Sequence, residues 1–132
     1  MSQAICLQTD EGWVTSLRWH IYNKTTQLVN PAPANLWVFI DENPDSINDG
    51  AFAVDPDYSG ASAAFVDGPS ILHDGGCCFS FADGHAEIHQ WSDPRTIEHN
   101  QTHYANDYAG VGYVMPNNPD VAWLELRTTM HQ

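Results

Sequence analysis

The sequence predicts an α+β fold, a small antiparallel sheet with short helices and long loops, and three observations carry that expectation. The run LWVFID (36–41) is rich in strand formers and bounded by turn signals. The runs CCFSFA and HAEIHQW flank Asp83-Gly84, a pair that favours a tight hairpin. The segment NPDVAWLELRTT (118–129) carries helix-start signals. A chain of 132 residues suits one domain spanning 1–132, and 42% hydrophobic content with five tryptophans supplies a core.

Taken in order, residues 13–29 mix aromatic and β-branched side chains, with Trp13, Leu17 and Ile21 at helical spacing. They predict a short helix or an irregular segment. The prolines of NPAPAN (30–35) make a turn that ends whatever precedes it. The strand over 36–41 follows, then the long polar loop ENPDSINDG, a second short strand AFAV (51–54), and the turn-like DPDYSG.

A two-residue type I′ turn at Asp83-Gly84 fixes a hairpin register in which Phe81 faces Ala86, Ser80 faces Glu87, Phe79 faces Ile88 and Cys78 faces His89. Alternation then puts Phe79, Phe81, Ala86 and Ile88 on the core face, and Cys78, Ser80, His85, Glu87, His89 and Trp91 on the other. Residues 92–117 read as loop. At the C-terminal end Asn118 caps a helix, Pro119 suits its first position, Asp120 favours its positive end and Arg127 its last turn. Val121, Leu124 and Trp123 would dock that helix on the sheet.

The net charge of −13, with only four Lys or Arg, excludes a nucleic-acid footprint and disfavours anionic membrane surfaces. An acidic, soluble surface is one reading of that charge. The other is that some carboxylates converge on a hard cation such as calcium, which takes oxygen ligands. No apolar run is long enough to cross a membrane, and the N-terminal residues show no secretory leader. Cys77 and Cys78 are neighbours and would bridge each other only with strain, so the expected disulfide joins Cys6 to one of them.

Two clusters could hold a metal. In DENPDSINDG, Asp41, Asn43 and Asp45 alternate as in the opening of an EF-hand loop, but Ser46 stands where that loop wants glycine and Phe52 where it wants glutamate. A shorter calcium loop of Asp41, Asn43, Asp45 and Asp49 is one expectation. An Asx-rich turn bonding its own backbone is the plainer one. On the hairpin, His85, Glu87 and His89 share a face beside Cys78, a known zinc ligand set, although strand spacing makes three ligands hard to converge. A polar, solvent-facing sheet surface is the alternative there.

Nucleophile signals are weak. Ser80 lies opposite Glu87 near His85 and His89, but no nucleophile elbow accompanies it. A Cys77 or Cys78 nucleophile beside His89 has no better support. His73 is a further possible ligand, or a hydrogen-bonding residue holding a loop. The catalytic residues are therefore unknown from sequence.

From His73, nine residues pass before Asp83-Gly84, and this H-x(9)-D-G spacing resembles the prepilin-type processing-associated family of pseudopilin-like proteins, related to subunits of type II secretion and type IV pili. WVFIDENPDSINDGAFAV, FSFADGHAEIHQWSDPRT and NNPDVAWLELRT also look like segments of that family, in its order, across residues 36–128. The resemblance implies a pilin-like globular domain with a structural role and no turnover. It implies calcium in its loops, partnership with other pseudopilin or secretion-system subunits, and a periplasmic or extracellular location. Of the family motif, His73, Asp83 and Gly84 carry over. Family members begin with a processing site and an apolar helix of about 20 residues, long enough to cross a bilayer. The polar residues after Met1 do not match it, so the expectation is a truncated pseudopilin-like domain that does not build a filament by itself. The alternative, from another class, is a metal-dependent hydrolase of small esters or lactones. A cation in the acidic loop would polarise the substrate's carbonyl, and His73, His85 or His89 would move a proton.

Overall fold

The strand-forming run after the proline turn becomes the second of seven strands among the described residues. A computed structural model of the chain describes residues 2–3, 19–47, 50–57, 59–102 and 113–130. The strands are β1 (Ser2–Gln3), β2 (Trp37–Ile40), β3 (Ala51–Phe52), β4 (Ala64–Phe65), β5 (Gly76–Phe81), β6 (Ala86–Gln90) and β7 (Tyr113–Val114). Among the described residues there are also two helices, α1 (Pro94–Thr102) and α2 (Pro119–Glu125), and three short 3-10 turns. The fold is α+β as expected.

The main sheet runs β3-β1-β2-β5-β6, and β4 pairs with β7 in a small separate ladder. Its centre, β2-β5-β6, is antiparallel. The two-residue strands β1 and β3 add one parallel pair. Of the segment expected to be helical or irregular, 13–18 lies outside the described residues. Residues 19–23 form no helix, and a 3-10 turn covers Thr25–Gln27. The backbone of His20 bonds Met130 O at 2.9 Å and accepts from Thr129 Oγ1 at 2.7 Å, so this stretch is strung along the C-terminal end of the chain.

The core gathers Trp37, Ile40, Phe52, Phe65, Cys77, Phe79, Phe81, Trp91, Met115, Val121 and Leu124. Burying a large side chain of this kind is worth roughly 1.5–3 kcal/mol. Trp37 and Trp91 are polar at one end, and each indole N–H finds an acceptor: Thr128 Oγ1 at 2.8 Å and Ser70 O at 2.9 Å. Helix α2 docks through Val121 and Leu124, with Trp123 edge-on to Phe79 at 5.1 Å.

Two expectations fail. The stretch 92–117, read as loop, contains α1 and β7. Its apolar pattern is thin, so periodicity hid a helix that local chemistry supports. Pro94 opens it, and the Asp93 carboxylate accepts from Arg95 N at 2.9 Å. The hairpin register is also one residue off. Ser80 pairs with Ala86, Phe79 with Glu87, Cys78 with Ile88 and Cys77 with His89.

The cause of that slip is turn length. Ala82, Asp83 and Gly84 form a three-residue loop: Gly84 N bonds Phe81 O at 3.0 Å, Phe81 N bonds His85 O at 2.9 Å, and only Gly84 has positive φ (95°). That is a turn followed by a left-handed glycine, not a type I′ pair. A one-residue slip exchanges the faces of β6. Phe79 and Phe81 are buried as expected, but Ala86 and Ile88 are exposed, while His89 and Trp91 turn inward.

Candidate metal centre

The type I′ turn does exist, at the other Asp-Gly. Asp74 (φ 55°) and Gly75 (φ 80°) both adopt positive φ between two reciprocal bonds, His73 N to Gly76 O at 3.3 Å and Gly76 N to His73 O at 3.1 Å. The turn delivers the chain into β5 and holds His73 beside the strand's first residues. A further bond, from Gln90 Nε2 to His73 O at 3.1 Å, ties the turn to β6.

Asp41 follows β2 and is fixed by its backbone. Its N–H donates to Cys78 O at 3.1 Å, and its carbonyl accepts from Ser70 N at 2.9 Å and from Cys77 Sγ at 3.1 Å. Its side chain stays half exposed and lies 3.2 Å from His73 Nε2. Cys78, on β5, completes the group. One ligand atom each from Asp41, His73 and Cys78 lies within 4.8 Å of the other two, and this is the one such His/Cys/Asp/Glu trio among the described residues. An open groove of about 420 Å³, lined by Asp41, Glu42, Ile47, Ser70, Leu72 and His73, lies alongside.

The two adjacent cysteines differ sharply. Cys77 points into the core, and burial pushes its thiol up to about 12. Cys78 sits on the opposite face, partly accessible, and its thiol is raised by partial burial and by the hydrogen-bonded Asp41 carboxylate. Both are free thiols, which corrects the expected disulfide to Cys6; Cys6 itself lies outside the described residues.

Of the expected calcium ligands, Asp41 faces His73. Asn43 is buried, and its Oδ1 accepts from Asp45 N at 3.0 Å, the Asx-turn arrangement. Asp45 is exposed, and Asp49 lies outside the described residues. The sequence had set His73 apart as a lone possibility and Cys78 beside His89. Nothing in the spacing joined both to Asp41, because the contact crosses from β2 to β5 and spans a separate turn.

The two hairpin histidines do not gather. His85 Nδ1 lies 2.6 Å from Asp83 Oδ1, and its ring stacks on Phe81 at 4.3 Å. The paired His85 holds the Asp83 carboxyl below its usual range. His89 stacks on Trp123 at 3.6 Å; burial lowers its pKa, and its Nε2 is buried without a hydrogen-bond partner. Ser80 is on the face opposite His85, Glu87 and His89, so the loose Ser-His-acid reading is corrected by the register. Cys77 is the residue paired with His89, too buried and too weakly acidic to serve as a nucleophile.

A polar clamp went unread. Asn118 caps α2 by accepting from Asp120 N at 2.7 Å and Val121 N at 3.3 Å, as expected, and also donates to Thr96 Oγ1 of α1 at 3.0 Å. The buried Asp120 carboxylate accepts from Ser92 N, Ser92 Oγ and Asp93 N at 2.9, 2.7 and 3.0 Å. Arg127 stacks over Trp123 at 4.2 Å and donates to Trp123 O, closing the helix end.

None of the described helices is long and apolar enough to cross a membrane. No family model, curated protein or solved structure matches the chain.

Proposed function

We propose that this chain is a pseudopilin-like structural domain, related in role to the globular heads of type II secretion and type IV pilus subunits. It would work outside the cytoplasm through contacts with other subunits and carry out no turnover. The observation that supports this reading is how the H-x(9)-D-G motif folds. His73 belongs to the tight turn that feeds β5, and Asp83-Gly84 to the loop that leaves it, so the nine intervening residues amount to one strand and its lead-in. A fixed spacing of this kind follows from a strand of fixed length between two fixed turns, which is a demand of architecture. The hydrolase reading loses two of its three proton carriers, since His85 is bonded to Asp83 and His89 is stacked on Trp123, and rests on His73 beside Asp41 alone.

A chimaera tests the role. Joined behind the apolar helix of a pseudopilin in a type II secretion host, the domain is expected to enter surface filaments and cross-link to neighbouring subunits. A chimaera that is folded, processed and stable yet never enters a filament overturns the reading. Turnover of p-nitrophenyl acetate or a γ-lactone that is lost in a folded Asp41→Asn variant would replace it with the hydrolase.

A further inference from the structure

We propose that Asp41, His73 and Cys78 form a three-ligand site for a borderline divalent transition-metal ion of the zinc class, a property separate from the fibre role. The donors are one carboxylate oxygen, one imidazole nitrogen and one sulfur, mutually within 4.8 Å. A tetrahedral zinc ion with bonds of about 2.0–2.3 Å needs ligand atoms roughly 3.3–3.7 Å apart. The Asp41–His73 edge, at 3.2 Å, is already of that order. The two edges to Cys78 Sγ are no longer than 4.8 Å, so closing them to about 3.7 Å asks for about 1 Å of side-chain movement.

Donor chemistry selects the ion. Calcium takes six to eight oxygens and magnesium a near-ideal octahedron of them, whereas sulfur and imidazole suit zinc and its neighbours. A mixed O/N/S trio with solvent access leaves a fourth position for water. The side chains of His73 and Asp41 are 40% and 51% exposed, which leaves a path for entry. The chain's net charge of −13 raises the local cation concentration around it.

The frame is rigid where a metal site needs it to be. Asp41 and Cys78 are joined backbone to backbone across the end of the β2–β5 ladder, and His73 is held by the Asp74-Gly75 turn. Without a metal, a carboxylate beside a thiol opposes the thiolate. A dication compensates both negative charges, so binding releases the Cys78 proton to solvent as the metal–sulfur bond forms.

Cobalt(II) is the probe, because a bound thiolate gives it a sulfur-to-metal charge-transfer band that oxygen and nitrogen ligands do not. The reduced chain, titrated with Co²⁺ at pH 7.5, is expected to show this band. Zn²⁺ should abolish it at one equivalent, and excess Ca²⁺ should leave it unchanged. Cys78→Ser removes the band, while Cys77→Ser and Cys6→Ser keep it. His73→Gln and Asp41→Asn weaken Zn²⁺ affinity by more than about 100-fold, since even an outer-sphere partner is worth 10–100-fold. Far-UV circular dichroism confirms that each variant is folded. Absence of the band in the folded native chain, its survival in Cys78→Ser, or its displacement by Ca²⁺ would overturn the proposal.

Discussion

The two ends of β5 carry the same residues in nearly the same order, His73-Asp74-Gly75 before the strand and Asp83-Gly84-His85 after it, and they do different things. At the entry, Asp74 and Gly75 both take positive φ in a two-residue turn, and the histidine reaches 32 residues back to Asp41. At the exit, Gly84 alone takes positive φ, and the histidine turns back on Asp83 two residues away. An Asp-Gly pair offers left-handed backbone, but the flanking contacts choose how much of it is used. At the entry, Gly75 N bonds Ile71 O, Gly75 O accepts from Trp91 N, and Gly76 lies against β6. The exit loop has one outside tie, Ala82 N to Leu36 O at 2.8 Å; its Asp83-Gly84 tip is held by His85 and Phe81.

The largest expected effect tests that difference directly. A Cβ at Gly76 would fall 2.7 Å from His89 O, backbone that cannot give way, whereas a Cβ at Gly84 meets nothing within 4 Å. Gly76→Ala is expected to cost about 3 kcal/mol, the upper range for an overfilled site, read as a drop in the midpoint of urea denaturation. Gly84→Ala carries only the left-handed penalty of a side chain, about 1–2 kcal/mol. Equal losses in the two variants would mean that the entry turn is no better anchored than the exit.

This contrast also marks what could be read from sequence and what could not. The strand at 36–41 and the Asn118-capped helix were legible because their signals are local: a run of strand formers, and a cap followed by proline and an acidic residue. The inward positions of Phe79 and Phe81 were legible by alternation. The faces of Ala86, Ile88, His89 and Trp91 were not, because one extra residue in a turn reverses every side chain beyond it. The trio of Asp41, His73 and Cys78 was invisible for a different reason. It depends on which strands become neighbours, and no spacing along the chain encodes that. Helix α1 was missed because its apolar pattern is thin, although Pro94 and the Asp93 carboxylate mark its start locally.

Titration sharpens the comparison with a smaller effect, because the inward side of β6 and α2 carries groups that the two exposed turns lack. Burial, with the Asp55 carboxylate nearby, pushes Glu125 up to about 8. Its folded state therefore keeps a proton that the unfolded state releases above about pH 4.5, and stability falls as pH rises from there to about 8. Glu125→Gln should raise stability near pH 8 by about 1 kcal/mol, or about 3 °C, the solvent-facing share of the side chain discounting what full burial would give. His89 acts with the opposite sign. Its pKa is lowered by burial, so the unfolded state binds the proton first and stability falls as pH drops below about 6.5. His89→Gln should flatten that acid limb in a pH series of melting temperatures and leave the alkaline limb in place. An unchanged acid limb would mean that His89 is not the group responsible.

The smallest effect separates a pin from a ligand. His85 pairs with Asp83 and also stacks on Phe81, so His85→Ala is expected to cost about 1 kcal/mol, most of it from the ring contact. His73 has the exposed pair with Asp41 and stacks on no ring among the described residues, so in metal-free buffer His73→Ala should cost less, about 0.5 kcal/mol. The order should reverse when Zn²⁺ is added. A ligand that binds only the native chain stabilises it in proportion to the logarithm of its concentration over Kd, and His73→Ala forfeits that gain while His85→Ala keeps it. Thermal melts of the two variants with chelator and with Zn²⁺ give all four values. If His73→Ala were the costlier change even in chelator, the entry histidine would be holding the turn by itself, and its contact with Asp41 would be structural without an ion.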